Sequence, residues 1–183
     1  MLSKIEEISL IAKCVAGDDR AFEKLVNEHG PAVRNFLFRL TLGDAALADD
    51  LAQETFLKAY SGLHLFHAFS RFRTWLFTIA YNEFVSYTRR NREERLPDGF
   101  DNGIGQRENS SEKESLHTEL RHDIQQALAA LSDTERTLIT LFYFDDLPIK
   151  EICKITVLPS GTVKSYLSRA KNKLAKELES YEK

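Results

Sequence analysis

The C-terminal stretch 158–178 carries hydrogen-bonding and cationic side chains at helical spacing. Read as a helix from Ser160, it has apolar residues at intervals of three and four, which places them on one face. These are Val163, Leu167, Ala170, Leu174 and Leu178. The opposite face has cations, hydroxyls and an amide, and no carboxylate before Glu177. Such a face suits the hydrogen-bonding edges of bases in a DNA major groove, and it is also typical of a solvated basic helix.

A second helix is predicted just before this one, and the pair favours DNA binding. Residues 147–155 read as a short helix with Pro148 in its first turn and Ile149, Ile152 and Cys153 on its buried side. Residues 156–159 then form a turn, and Ser160 is a plausible N-cap for the next helix. Two short helices joined by a tight turn are the helix-turn-helix pattern. Glycine is usual in that turn, and Val157 takes its place here.

A long helix predicted at 44–63 has a row of carboxylates and an amide along one side. Asp50, Gln53 and Glu54 belong to this row, whereas Leu51 and Leu57 are expected to face a core. A single polar row of this kind usually means a solvated face.

The segment 64–92 combines aromatic residues with arginine. Its first part holds His64, Phe66, His67 and Phe69, which on a loop are core residues or stacking platforms for unpaired bases. The loop chemistry alone favours core residues. The helix predicted at 72–92 ends in polar, aromatic and basic residues, which fit DNA contacts. They are Tyr81, Asn82, Ser86, Tyr87, Arg89, Arg90 and Arg92. The arginines among them are also accounted for as favourable cations at a helix C-terminus.

Every periodic segment of the chain is helical, so we predict an all-α fold. Further helices are expected at 5–16 (apolar stripe Ile8, Ile11, Ala12, Val15), 21–29, 31–41, 115–130 and 133–144. Gly30-Pro31 is expected to end the helix at 21–29. The residues from Ser132 to Glu135 read as a capping box that begins the helix at 133–144. Residues 96–114 are an acidic, Gly- and Ser-containing linker. The sequence thus predicts two small helical domains, 1–95 and 115–183, joined by a flexible linker.

Composition argues against several classes of protein. The chain has 183 residues, a formal net charge of -3 and two cysteines, and its N-terminus lacks an apolar signal-peptide core. We expect a cytoplasmic protein that is not itself in the membrane, with no metal site and no cofactor. A helical hydrolase built on His64 and His67 would need a nucleophile–base pair, metal spacing or a phosphate loop, and the sequence shows none. No catalytic residue or small-molecule substrate is predicted.

Taken together, these segments resemble the sigma-70 family of bacterial RNA polymerase sigma factors, in particular its extracytoplasmic-function (ECF) group. The resemblance rests on Ala16-Gly17-Asp18 with Ala21-Phe22-Glu23, the segment DLAQETFLKAY at 50–60, FRTWL at 72–76 with Ile79-Ala80 and Asn82, Ala130-Leu131, and GTVKS at 161–165. The chain departs from the family's pattern at Ala68, Phe69, Thr78, Tyr81 and Tyr166. The resemblance implies an initiation subunit that binds core RNA polymerase, at the β′ clamp helices and the β flap, and reads promoter DNA. It also implies an anti-sigma factor as a partner.

The resemblance assigns each candidate site to a set of residues. Core polymerase binding is assigned to Asp50, Gln53, Glu54 and Leu57. Recognition and melting of the −10 element is assigned to Phe66, His67, Phe69, Arg73, Trp75, Asn82, Ser86, Arg89 and Arg90. Recognition of the −35 element is assigned to Thr162, Lys164, Ser165, Ser168, Arg169 and Lys171. The main alternative is a two-domain helix-turn-helix regulator that does not bind the polymerase clamp, and such a regulator has no need of the 50–60 motif.

Overall fold

The computed structural model describes residues 2–66, 71–94 and 124–181, and the regular elements in these ranges are helical. The first domain contains α1 (Lys4–Val15), α2 (Asp19–Leu40), α3 (Ala45–Gly62), a 3₁₀ turn (Leu63–Leu65) and α4 (Phe72–Glu94). The second contains the described part of α5 (124–129), α6 (Asp133–Ile139), a π-helical turn (Thr140–Phe144), α7 (Ile149–Thr156) and α8 (Ser160–Tyr181). The all-α prediction is confirmed. The predicted linker at 96–114 lies outside the described residues.

Side-chain caps explain where several helices begin. The predicted capping box at Ser132 and Glu135 is present: the Glu135 amide donates to Ser132 Oγ at 3.3 Å, and the Ser132 amide donates to Glu135 Oε2 at 3.0 Å. Asp18 and Asp44 cap α2 and α3 by accepting backbone N–H groups within the first turn. Each cap satisfies donors that have no partner inside the helix, which is why these sequence signals predict helix starts well.

α2 is one continuous helix, so the predicted break at Gly30-Pro31 is wrong. Proline disfavours helix partly by clashing with the Cβ of the residue before it, and Gly30 has none. Leu25 and Phe36, on either side of the proline, are both fully buried. Packing of both halves on the same core therefore outweighs the loss of one backbone hydrogen bond.

The buried face of α1 also differs from the predicted stripe. Leu10, Ile11 and Cys14 are buried, whereas Ile8 and Val15 are 42% and 56% exposed. α1 is apolar on two sides, and helical periodicity alone does not say which side meets α2.

The two domains contact each other through α4 and α7 and through the C-terminus of α2. Arg136 of α6 is buried, and its guanidinium donates to the carbonyls of Leu40 at 2.9 Å, Leu128 at 3.1 Å and Leu131 at 3.0 Å. Arg39 of α2 stacks on the Phe144 ring, 4.4 Å from its centroid. Arg136 thus closes the α5–α6 turn and also caps the carboxyl end of α2 in the first domain.

Within the described ranges, no helix is both long and apolar enough to cross a bilayer.

Candidate nucleic-acid interface

α8 is held by its apolar side and presents the predicted polar side to solvent. Val163, Leu167 and Ala170 are buried in the second domain. Of the six residues predicted on the other side, five are exposed and Thr162 is half-buried. The exposed five are Lys164, Ser165, Ser168, Arg169 and Lys171. The structure therefore brings this set together on one accessible helix face.

An ion pair further fixes α8 against α6. Lys173 Nζ lies 2.7 Å from Glu135 Oε2, and the Glu135 side chain is almost fully buried. Burial raises the pKa of Glu135, but hydrogen bonds from Lys173 and Ser132 outweigh it and hold the pKa below its usual value. The capping residue of α6 is thus also an anchor for the basic helix.

The turn between α7 and α8 has the backbone form that a glycine usually supplies. Val157 has φ 57° and ψ 24°, in the left-handed region, and its side chain is 85% exposed. The Val163 amide donates to the Pro159 carbonyl at 3.0 Å, so Pro159 is the first acceptor of α8. The predicted N-cap, Ser160, therefore lies one residue inside the helix.

The predicted −10 residues of α4 fall on two different sides of that helix. At about 100° per residue, Trp75, Asn82, Ser86 and Arg89 lie within a narrow sector, and Arg90 flanks it. Asn82, Arg89 and Arg90 are exposed, whereas Trp75 and Ser86 are half-buried. Arg71, which was not in the predicted set, is exposed at the start of the same sector. The sequence feature that places Arg71 in this sector is its spacing of four residues from Trp75 and eleven from Asn82.

Arg73 lies on the opposite side of α4 and faces the second domain. Its Nη2 donates to Asp145 Oδ1 at 3.1 Å, and the Asp145 side chain is only 6% exposed. Burial raises the pKa of Asp145 to about 6, against the opposing effect of Arg73 and Arg39. Arg73 is therefore a domain-contact residue in this arrangement, and the structure does not group it with Asn82 and Arg89.

Aromatic residues cluster where α4 begins. The Phe66 ring lies 5.4 Å from both Phe72 and Trp75, and Phe72 is fully buried. Phe66 itself is half-buried and packs on the core, as the loop chemistry suggested. His67 and Phe69, also predicted at this site, lie outside the described residues.

A cavity of about 470 Å³ adjoins Phe66 and Arg71, with Glu7 and His29 on its wall.

The face of α3 that carries the acidic row is accessible. Asp50, Gln53 and Glu54 are exposed, and Leu57, expected in a core, is 54% exposed among them. Asp49 lies beside this row and is bound by the Arg34 guanidinium; hydrogen bonding by Arg34 lowers the Asp49 pKa. This face therefore combines two carboxylates, an amide and an aliphatic side chain, which suits a protein partner with basic and apolar groups.

The second domain has a separate apolar hollow. It measures about 330 Å³ and lies at the end of the π-helical turn, with Tyr143 and Phe144 exposed nearby. The lining residues are Phe142, Tyr143, Asp146, Leu147 and Pro148.

Comparison with known proteins explains why these faces occur on one chain. Residues 25–94 match the family model of sigma-70 region 2, and residues 121–174 match that of sigma-70 region 4. The chain belongs to the sigma-70 family of RNA polymerase sigma factors.

Relatives place the sigma factor in the ECF group. It is 31% identical to the RNA polymerase sigma-H factor of Pseudomonas aeruginosa, over 98% of this chain and 97% of that protein. It is 32% identical to the ECF RNA polymerase sigma factor SigW of Bacillus subtilis, over 88% of this chain and 91% of the relative. Its fold is similar to that of RpoE from Bartonella quintana, solved with the anti-sigma factor NepR: the TM-score is 0.70 at 31% identity, covering 86% of this chain and 96% of that one. The chain is a transcription initiation factor that directs RNA polymerase to promoters.

Proposed function

We propose that this sigma factor docks on core RNA polymerase through α3 and reads its promoter with α4 and α8. The observation that carries the proposal is the segregation of three exposed faces of different chemistry on one chain. α3 offers carboxylates and an amide, α4 offers Trp75, Asn82 and arginines, and α8 offers cations and hydroxyls. The first suits the basic groups of a protein partner, whereas the other two suit phosphates and bases.

Each DNA-reading face has a distinct task in this proposal. The α8 face, with Thr162, Lys164, Ser165, Ser168, Arg169 and Lys171, reads the −35 element as duplex in the major groove. The α4 sector, with Asn82, Ser86, Arg89 and Arg90, follows the −10 strand, and the aromatic cluster at Phe66 and Trp75 stacks an unpaired base. Stacking and capture of a flipped base offset unstacking of a few kcal/mol, so strand opening needs no nucleotide hydrolysis.

The protein partners follow from the remaining surfaces. Asp50, Gln53, Glu54 and Leu57 contact the β′ clamp helices, and the hollow at 142–148 receives an apolar part of the β flap. An anti-sigma factor that covers these faces blocks both contacts. The sigma factor itself carries out no catalysis and acts in the cytoplasm with the polymerase.

A pull-down with core polymerase tests the docking face. We expect the Gln53→Ala/Glu54→Ala variant to bind core enzyme roughly tenfold more weakly, as loss of central polar contacts does at other interfaces. The Glu23→Ala/Asn27→Ala variant is the matched control, because it also removes one carboxylate and one amide from an exposed helix face. Equal binding by both variants and the unchanged protein would overturn the α3 assignment.

A further inference from the structure

Tyr166 and Arg169 stack on one another on the surface of α8. The guanidinium carbon of Arg169 lies 4.5 Å from the centroid of the Tyr166 ring, within the range of a cation–π contact. Tyr166 is half-buried and packs against the core, whereas Arg169 is exposed. The charge of Arg169 thus rests on a ring whose own position the core limits.

Helix geometry determines which part of α8 the Arg169 side chain covers. Side chains of a helix lean toward its N-terminus, so a residue covers the turn before its own. Stacking on the ring three residues earlier holds the guanidinium over the part of α8 that also presents Ser165. The residues four positions away, Ser165 and Lys173, are not acids, so no helical ion pair along α8 draws Arg169 elsewhere.

A stacked guanidinium keeps its hydrogen-bonding capacity. The ring contacts the flat face of the group, and the N–H donors lie in its plane and point outward. Two of these donors fit the O6 and N7 acceptors of guanine in the major groove, which is the commonest specific contact of arginine with a base. Restraint of the side chain before binding reduces the conformational entropy lost when the contact forms.

We propose that Tyr166 is a positioning residue that fixes Arg169 for bidentate recognition of a guanine in the −35 element. The inference rests on the proposed function, in which α8 reads that element. In this proposal the Tyr166 ring strengthens the preference of Arg169 for guanine without itself contacting DNA.

The test measures promoter binding by the complex of the sigma factor with core polymerase, with all four base pairs placed in turn at each −35 position. We expect Arg169→Ala to abolish a guanine preference at one position, a loss of roughly 5- to 150-fold in discrimination. Tyr166→Leu should reduce the same preference by about two- to fivefold at that position alone. Tyr166→Phe, which keeps the ring, should retain it. Lys171 lies at the edge of the α8 face, where we assign it a phosphate contact, so Lys171→Ala should weaken binding to all sequences alike.

The outcomes separate the inference from the function on which it rests. If Arg169→Ala changes no base preference, the assignment of Arg169 to base reading fails. If Arg169→Ala removes the preference but Tyr166→Leu keeps it, or weakens every position equally, the positioning role of Tyr166 is overturned. A Tyr166→Phe variant that behaves like Tyr166→Leu would also overturn it, because the hydroxyl and not the ring would then matter. Thermal unfolding of each variant confirms that α8 is intact.

Discussion

The Arg73 guanidinium in α4 donates a 3.1 Å hydrogen bond to the Asp145 carboxylate, which links the two domains. The carboxylate is buried, and a second arginine, Arg39, also interacts with its charge. Burial nevertheless raises the pKa of Asp145 to about 6, so desolvation outweighs the two cations. The contact therefore holds a carboxylate that binds a proton more readily than it would in the unfolded chain.

The first prediction concerns the pH dependence of stability. The pKa of Asp145 is about 6 in the folded protein and about 3.9 in an unfolded chain. The folded state therefore binds more protons between these values, and this stabilisation is complete below pH about 4 and lost as pH rises through about 6. Relative to Asp145→Asn, the unchanged protein should gain about 2 kcal/mol in free energy of unfolding between pH 8 and pH 4.5.

Urea unfolding of both proteins across this range measures the difference. Asp146→Asn is the control: Asp146 is exposed and has φ 53°, a conformation that asparagine tolerates. Parallel curves for Asp145→Asn and the unchanged protein would contradict the prediction.

The buried Arg136 should be a large contributor to stability. Arg136→Met keeps much of the volume but leaves the carbonyls of Leu40, Leu128 and Leu131 without this donor. We expect a loss of about 3 kcal/mol or more in the free energy of unfolding. Arg34→Met, which removes an exposed arginine from its pair with Asp49, should lose under about 1 kcal/mol. Similar losses for the two variants in chemical denaturation would be inconsistent with this account.

Val157 should be a site where glycine stabilises the protein. A β-branched residue in the left-handed region is strained by about 1–2 kcal/mol, and little apolar burial is lost because the side chain is exposed. Glycine removes the strain but adds freedom to the unfolded chain, so we expect Val157→Gly to gain about 0.5–1 kcal/mol. Val15→Gly, at an exposed valine in the last turn of α1, should instead lose roughly 0.3–0.5 kcal/mol, because its backbone is helical and glycine has the lower helix propensity. Thermal unfolding measures both changes. A gain for Val157→Gly with a loss for Val15→Gly supports strain at Val157, and a loss for both variants would contradict it.

Local sequence signals predicted the helices well because their physical causes are local. The Ser132–Glu135 capping box acts over three residues, and it is present as expected. The polar face of α8 was also predictable, because its apolar side has a regular spacing that only one orientation can bury.

Other features depend on contacts between distant parts of the chain. The continuity of α2 through Pro31 depends on the packing of both its halves, and the exposure of Ile8 depends on which side of α1 meets the core. The resemblance assigns Arg73 to the −10 site together with Asn82, but its partner, Asp145, is 72 residues away along the chain. No local sequence pattern predicts a contact between residues so far apart in the chain.

DNA binding by the isolated sigma factor should be weak. Its net charge is -3, and the cations available to phosphates are confined to small faces, each adding only about one unit to the dependence of log affinity on log salt. We expect specific promoter binding at physiological salt only when core polymerase is present. Fluorescence anisotropy of a labelled promoter duplex, with and without core enzyme, measures this. Tight, sequence-specific binding by the chain alone would show that the polymerase is not needed for recognition.

Run-off transcription with core polymerase on a library of promoters tests the central claim most directly. We predict that the sigma factor supports initiation from a subset of promoters sharing −10 and −35 elements, and that Gln53→Ala/Glu54→Ala strongly reduces this activity while Glu23→Ala/Asn27→Ala preserves it. Failure of the unchanged protein to direct core enzyme to any promoter, or full activity of the Gln53→Ala/Glu54→Ala variant, would contradict the account.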